Sequence, residues 1–215
     1  MRRSLSFAPT MLLGLFVSGC ALLTKSDPVV PRYFSPEPTG SLPRAKGTTV
    51  GPQLSLRLGR VGGGSYLKER MVYRDSSHEF GFYEDRRWTE RPEVYLQRAL
   101  EASLFEDGGM RRSLSSTAPT LTVDLVEFEE VRGSAPHVRL RVTYALHDEQ
   151  NVFFERTAAI ERPLEGGADA ARADRVAVAL GEALQEAVTR VSGEVTAELV
   201  SRDARTPERG SASAR

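Results

Sequence analysis

The sequence has a single cysteine, no excess of either charge and no long apolar run. Each of these features excludes a class of protein. One cysteine in 215 residues excludes a disulfide framework, a cysteine-based zinc site and an iron–sulfur cluster within one chain. Lysine plus arginine and aspartate plus glutamate number 29 each. This balance argues against a nucleic-acid partner, which would require a basic excess. With 40% hydrophobic residues, the chain is still able to bury the core of one domain.

The longest apolar run lies at the amino terminus and is too short to span a membrane. It extends from Leu5 to Val17 and is interrupted by Pro9, whereas a helical span needs roughly 20 residues. Arg2 and Arg3 precede it. A basic start followed by a short apolar segment predicts a secretory signal peptide over residues 1–19.

The single cysteine stands where a lipoprotein signal requires it. Val17-Ser18-Gly19-Cys20 is a lipobox, in which small residues let a peptidase reach the backbone and the thiol accepts a diacylglyceryl group. We therefore predict that the mature chain begins at Cys20 and carries a lipid anchor of two or three acyl chains. The alternative is an ordinary signal peptide followed by an incidental cysteine. The next residue, Ala21, is compatible with sorting to the outer membrane.

Composition divides the mature chain into three parts. Residues 20–51 hold five prolines among small polar residues, which predicts an extended tether behind the lipidated cysteine, with Tyr33-Phe34 as a short edge strand. Residues 52–200 form the domain. Residues 201–215 are polar and have no apolar periodicity, which predicts a disordered tail.

Within the domain, the hydrophobic periodicity predicts an α+β fold. Strand-like alternation and helical three- and four-residue spacing give the order β-β-β-α-β-β-β-α, with two helices covering a largely antiparallel sheet. A bulge near Leu125–Val126 is expected because the alternation changes phase there. Thr89 is a plausible N-cap for the first helix. The predicted strands cover about 54–58, 67–74, 78–83, 121–128, 138–146 and 152–161, and the predicted helices 89–106 and 169–200.

Several short motifs follow one another in an order that resembles a known family. They are Tyr33-Phe34, Tyr66-Leu67, the strand Val72-Tyr73-Arg74, and Trp88 just before the first helix. From Cys20 to about residue 200 the chain resembles the ABC-type transport auxiliary lipoproteins, the PqiC-like group. The sequence alone favours the core as the place of Trp88.

The resemblance implies a function and partners. Proteins of this group accompany MCE-domain transporters that move lipids between the two membranes. We therefore expect a non-enzymatic accessory subunit in the outer membrane, facing the periplasm, with the membrane and an MCE-domain protein as partners and a homo-oligomer as a further possibility. The alternative is a stand-alone lipoprotein that serves envelope assembly or binds a ligand without a transporter.

Residue patterns that carry chemistry are weak or incomplete. Ser65 and Lys68 fit S-x-x-K, but this motif enters a predicted strand and its partner motifs do not occur. His137 and His147 share one strand ten residues apart, about 33 Å when extended, so one metal cannot bridge them. We expect no catalytic residue, no metal and no cofactor.

Three arginines are the candidate partner contacts. Arg139, Arg141 and Arg156 occupy polar positions of predicted strands. They would either form a solvated face or contact the acidic surface of a partner or lipid headgroups.

Overall fold

The computed structural model describes residues 28–36, 54–167 and 171–205. Within these ranges, eight strands and two α-helices form an α+β fold, as predicted, and a π-helical segment continues the first helix. The elements are β1 (Arg32–Phe34), β2 (Ser55–Gly63), β3 (Arg70–Arg74), β4 (Phe80–Trp88), α1 (Pro92–Glu101), the π-helical segment (Ala102–Asp107), β5 (Arg111–Arg112), β6 (Thr120–Val131), β7 (His137–His147), β8 (Val152–Pro163) and α2 (Arg172–Arg205).

The sheet is mixed, which corrects the largely antiparallel arrangement expected from the sequence. Strands β6, β7 and β8 form an antiparallel meander. The other edge of β6 is shared: β2 pairs with its first half and β3 with its second half, both in parallel. Strand β4 is antiparallel to β3, while β1 is parallel to β4 and β5 is parallel to β2.

Both helices lie on one face of the sheet. Helix α2 packs on β7 and β8, and α1 packs on β2 and β6 beside α2. The side chains directed toward the helices from β7 are apolar and buried, and they alternate with polar ones on the other face. The register between β6 and β7 shifts between Leu125 and Glu127, which confirms the predicted bulge. We call the second face of the sheet the helix-free face.

The start of α1 differs from the prediction. The helix begins at Pro92, with Arg91 as the N-cap residue and no side-chain cap. Thr89 lies before the helix, where its hydroxyl is 2.7 Å from the Tyr95 hydroxyl. Proline at the first helical position removes one of the N–H groups that a side-chain cap would otherwise serve.

Helix α2 is longer than predicted. It continues to Arg205, so residues 201–205 are helical and not part of a disordered tail. A Cβ added at Gly181 would collide with the Pro36 carbonyl oxygen. Glycine therefore lets the chain after β1 lie directly against the helix.

Strand β1 shortens the predicted tether. It is hydrogen-bonded to β4 over Arg32–Phe34, and Phe34 is buried in the core. The fold therefore begins within the 20–51 segment rather than after it. Trp88, the register partner of Phe34, is 1% exposed and contacts Phe128 with ring centroids 5.2 Å apart. This confirms its predicted place in the core.

Candidate functional site

Cys20 lies outside the residues that the structure describes. Its lipidation therefore stays a prediction from the lipobox. The structure bears instead on the three candidate arginines and on the polar groups around them.

Arg139 and Arg141 lie side by side on the helix-free face. Each alternates with a buried β7 residue that points toward α2. The Arg139 guanidinium is 3.1 Å from the Glu161 carboxylate on β8, and the Arg141 guanidinium is 2.9 Å from the Glu127 carboxylate on β6. These arginines are therefore members of a cross-strand ion-pair ladder rather than isolated positive charges.

Arg156 lies on the opposite face from these two. Its register partner in β7 is Tyr144, whose side chain is buried toward α2. Arg156 donates to the Glu194 carboxylate on α2 at 2.9 Å, and the Tyr144 hydroxyl donates to the same carboxylate at 2.6 Å. The structure thus separates Arg156 from Arg139 and Arg141 and gives it a role in attaching α2 to the sheet.

The acceptor Glu194 has a lowered pKa. Burial raises the pKa of its carboxyl, but the hydrogen bonds from Tyr144 and Arg156 outweigh burial and hold the pKa below its usual value. Burial and the bond to Glu194 raise the pKa of Tyr144, which keeps the phenol protonated as a donor. The group of three is therefore a charged clamp between α2 and the meander.

Two buried glutamates were not found by the sequence reasoning. Glu129 and Glu130 are consecutive residues of β6, and both are 0% exposed. Because successive strand residues point to opposite faces, one carboxylate lies on each side of the sheet. Two adjacent acids inside an apolar strand were the available signal, since one of them had to point inward.

On the helix-free face, Glu129 is held by Arg74. The guanidinium of Arg74 makes two hydrogen bonds to the carboxylate, at 2.6 and 3.1 Å. Tyr66 and Phe80 lie beside this pair with ring centroids 5.2 Å apart. Burial first, and then the charge of Glu129, raise the pKa of Tyr66 to about 12. Glu129 and Arg74 thus form a bidentate ion pair beside two aromatic rings. Such a pair stabilises the fold and does not supply a reactive group.

On the helix-covered face, Glu130 is held by α2. Arg172, the first residue of α2, pairs with one carboxylate oxygen, and the Tyr83 hydroxyl donates to the other. Arg132 stacks on Tyr73 at 3.4 Å from the ring centroid. Burial and the bond to Glu130 raise the pKa of Tyr83. This cluster fixes the start of α2 against β4 and β6.

The residues that could suggest catalysis or metal binding are not brought together. Ser65 and Lys68 are exposed in the connection between β2 and β3. His137 and His147 lie at the two ends of β7. In the part of the chain that the structure describes, no cluster of histidine, cysteine and acidic side chains has the arrangement of a metal site. Among the described helices, none has the length and apolarity needed to cross a bilayer.

Comparison with known proteins identifies relatives of this fold. The family described as the ABC-type transport auxiliary lipoprotein component matches residues 39–194. A crystal structure of a protein from Xanthomonas campestris, assigned to the family DUF330, is similar with a TM-score of 0.65 and 21% identity; the match covers 81% of this chain and all of that one. A second crystal structure, of an uncharacterized protein, has a TM-score of 0.56 and 15% identity over 77% of this chain and 99% of that one. No curated protein matches the chain.

Proposed function

This chain belongs to the ABC-type transport auxiliary lipoprotein component family, and from that premise we propose that it is the lipid-anchored accessory subunit of an MCE-type lipid transporter. The family consists of lipoproteins that are auxiliary to ABC-type transport, so the chain is an envelope-associated transport component. The MCE partner, the outer membrane and the periplasmic orientation are our proposal. The observation that carries it is the family match over residues 39–194 behind a lipobox at Cys20.

The proposed role is docking and not chemistry. The two fully buried glutamates are each paired with an arginine, Glu129 with Arg74 and Glu130 with Arg172. The ion pairs of Arg139 and Arg141 lie on a sheet face without a helix. Such a ladder offers charges of both signs at fixed positions, which suits recognition of a protein surface of complementary pattern. We propose this part of the helix-free face as the docking surface, and assembly of several copies as a further possibility.

A genetic experiment tests the proposed function against the stand-alone alternative. Strains lacking this chain, lacking the MCE-domain protein, or lacking both are compared for sensitivity to detergent. If the two proteins act in one transport system, the double deletion is no more sensitive than the more sensitive single deletion. Additive sensitivity would instead support a lipoprotein that acts in envelope assembly or ligand binding without the transporter.

The docking surface has its own test. Replacing Arg139 and Arg141 by alanine removes two charges from the ladder without touching the core, so the variant should fold. Recovery of the MCE-domain protein from detergent-solubilised membranes should fall severalfold relative to wild type. Recovery equal to wild type would place the docking surface elsewhere on the chain.

A further inference from the structure

The helix-free face has a second region whose basic side chains are not neutralised. Strands β1, β4 and β3 lie side by side, and their register aligns Tyr33 with Arg87 and Arg87 with Arg70. We call Tyr33, Arg87 and Arg70 the basic row. Neighbouring strands are about 4.8 Å apart, so these three side chains form one line across the sheet.

The arginines of the basic row differ from those of the ladder. Arg139 and Arg141 are each within 3.1 Å of a carboxylate, whereas no carboxylate among the described residues lies within ion-pair distance of Arg70 or Arg87. Lys68, two residues before Arg70, is exposed and likewise has no acidic partner among them. The positive charge of this region is therefore available to an external anion.

Two nearby acids are directed to other arginines. Glu69, between Lys68 and Arg70 in sequence, is 3.9 Å from Arg91. Asp85 is 3.8 Å from Arg86, which belongs to the opposite face because its register partner in β1 is Arg32 rather than Tyr33. Glu69 and Asp85 therefore do not neutralise the arginines of the basic row.

Tyr33 adds an exposed aromatic ring to the row. Its side chain is 62% exposed, although it belongs to a strand whose next residue, Phe34, is buried in the core. A tyrosine with an apolar ring and a polar hydroxyl suits the headgroup region of a bilayer. Arginine beside it suits the phosphate of a lipid headgroup, which its planar guanidinium binds through two hydrogen bonds.

The position of β1 in the chain selects the partner. Arg32 is twelve residues after Cys20, so an extended chain separates the start of β1 from the lipidated thiol by at most roughly 40 Å. An anchored protein would therefore keep the basic row close to the membrane surface at high effective concentration. This step depends on the proposed function, because it takes Cys20 as the anchor.

We propose that the basic row binds anionic phospholipid headgroups of the membrane in which the chain is anchored. The row orients the domain on its own membrane, with the β1 edge toward the lipid and the Arg139–Arg141 ladder free for a protein partner. The contact is electrostatic, so it weakens as salt screens the lipid charge.

The test uses the full mature chain from residue 20 onward with Cys20→Ser, so that it requires neither acylation nor a transporter. Its partition onto vesicles of phosphatidylcholine with about a quarter phosphatidylglycerol is measured by co-sedimentation, beside vesicles of phosphatidylcholine alone. We expect the wild-type chain to bind only the anionic vesicles. The partition of Arg70→Gln/Arg87→Gln onto these vesicles should be lower by about tenfold or more. Arg70→Lys/Arg87→Lys should bind more strongly than the glutamine variant and more weakly than wild type, since it keeps the charge but loses the two-hydrogen-bond geometry of the guanidinium.

The matched control is Arg139→Gln/Arg141→Gln, which removes the same charge from the same face and should change the partition less than about twofold. Equal losses in the two double variants, or equal binding to neutral vesicles, would overturn the proposal. So would a wild-type chain that ignores anionic vesicles while Arg70→Gln/Arg87→Gln loses a co-purifying protein, which would make the row a protein contact. Failure of Cys20 to accept lipid would contradict the proposed function and leave the vesicle result standing.

Discussion

Glu129 and Glu130 each connect β6 to other elements of the fold, one on each face of the sheet. Both carboxylates are fully buried, one on each face of β6. A buried carboxylate is tolerated only when it is paired and hydrogen-bonded. Arg74 of β3 binds the Glu129 carboxylate. Arg172 of α2 and Tyr83 of β4 bind the Glu130 carboxylate. The Glu130 cluster thus joins β6, β4 and α2.

Glu130→Gln is expected to destabilise the domain by about 3 kcal/mol, because it leaves Arg172 facing a neutral amide in a poorly solvated site. The Arg172 side chain is only 14% exposed. Urea denaturation measures the free energy of unfolding. The control Glu161→Gln removes an exposed partner of Arg139 and should lower it by less than about 1 kcal/mol. Similar losses in the two variants would contradict the role given to Glu130.

Cys20→Ala should abolish acylation and leave uncleaved precursor, because the sequence contains no other thiol. Incorporation of radiolabelled palmitate into the wild-type chain and the variant measures this directly. A variant that still takes up label would show that the lipid is attached elsewhere.

For single residues, the sequence predicted the face of the sheet on which a side chain lies better than it predicted which other side chain it bonds to. The alternation of β7 correctly made Arg139 and Arg141 polar-face residues. It did not reveal that Arg156 faces α2, because a charged residue in a strand suggests solvent unless the opposing helix is known to supply an acid. Glu194, which supplies it, is 38 residues away in the chain.

Helix α2 is held on the meander by a clamp whose strength we expect to depend on pH. Tyr144 and Arg156 both donate to Glu194, whose pKa is lowered by these bonds in spite of burial. A carboxyl with a lowered folded-state pKa stabilises the protein above its unfolded-state pKa, and this contribution is lost as the pH falls through the folded-state pKa. The clamp should therefore be complete at neutral pH and weaken in acid.

Glu194→Gln should lower the free energy of unfolding by about 1.5 kcal/mol at pH 7, because hydrogen bonds to a charged acceptor are replaced by weaker ones. The difference between wild type and variant should shrink below about pH 4.5, as the wild-type carboxyl becomes protonated. Chemical denaturation at a series of pH values provides the comparison. A difference that stays constant down to pH 3 would show that the charge of Glu194 is irrelevant.

The last turn of α2 contributes to stability. Arg202 lies over the Phe153 ring at 3.3 Å from its centroid and 3.4 Å from Glu198. A chain ending at residue 200 loses this stacking and should be less stable by about 1 kcal/mol, which corresponds to a melting temperature roughly 2–4 °C lower. A chain ending at Arg205 is the matched reference. Equal melting temperatures for the two truncated chains would contradict the prediction.

The sequence predicted the principal elements but not how all the strands pair. Period-two alternation is the same in parallel and antiparallel strands, so it predicted β2 and β6 without predicting that they run in parallel. The meander was predictable because a short turn at Asp148–Asn151 forces β7 and β8 to be antiparallel. The two-residue strand β5 is too short to give any periodic signal.

For the molecule as a whole, we propose that two regions of the helix-free face bind two different partners. The ladder of Arg139 and Arg141 is locally neutral and regular, which suits a protein surface. The basic row of Tyr33, Arg87 and Arg70 lies at the edge that follows Cys20 in the chain. In the account proposed here, the lipid anchor and the basic row fix the domain on the membrane, and the ladder remains available to the transporter.

Co-purification from native membranes tests the central claim most directly. The acylated wild-type chain is cross-linked in intact cells, solubilised in mild detergent and purified, and its companions are identified by mass spectrometry. The account predicts an MCE-domain protein among them, with recovery reduced severalfold in the Cys20→Ala strain because the precursor is neither cleaved nor acylated and so lacks the lipid anchor that holds the mature chain beside its partner. Wild-type protein that repeatedly purifies without any MCE-domain protein, even after cross-linking, would contradict it.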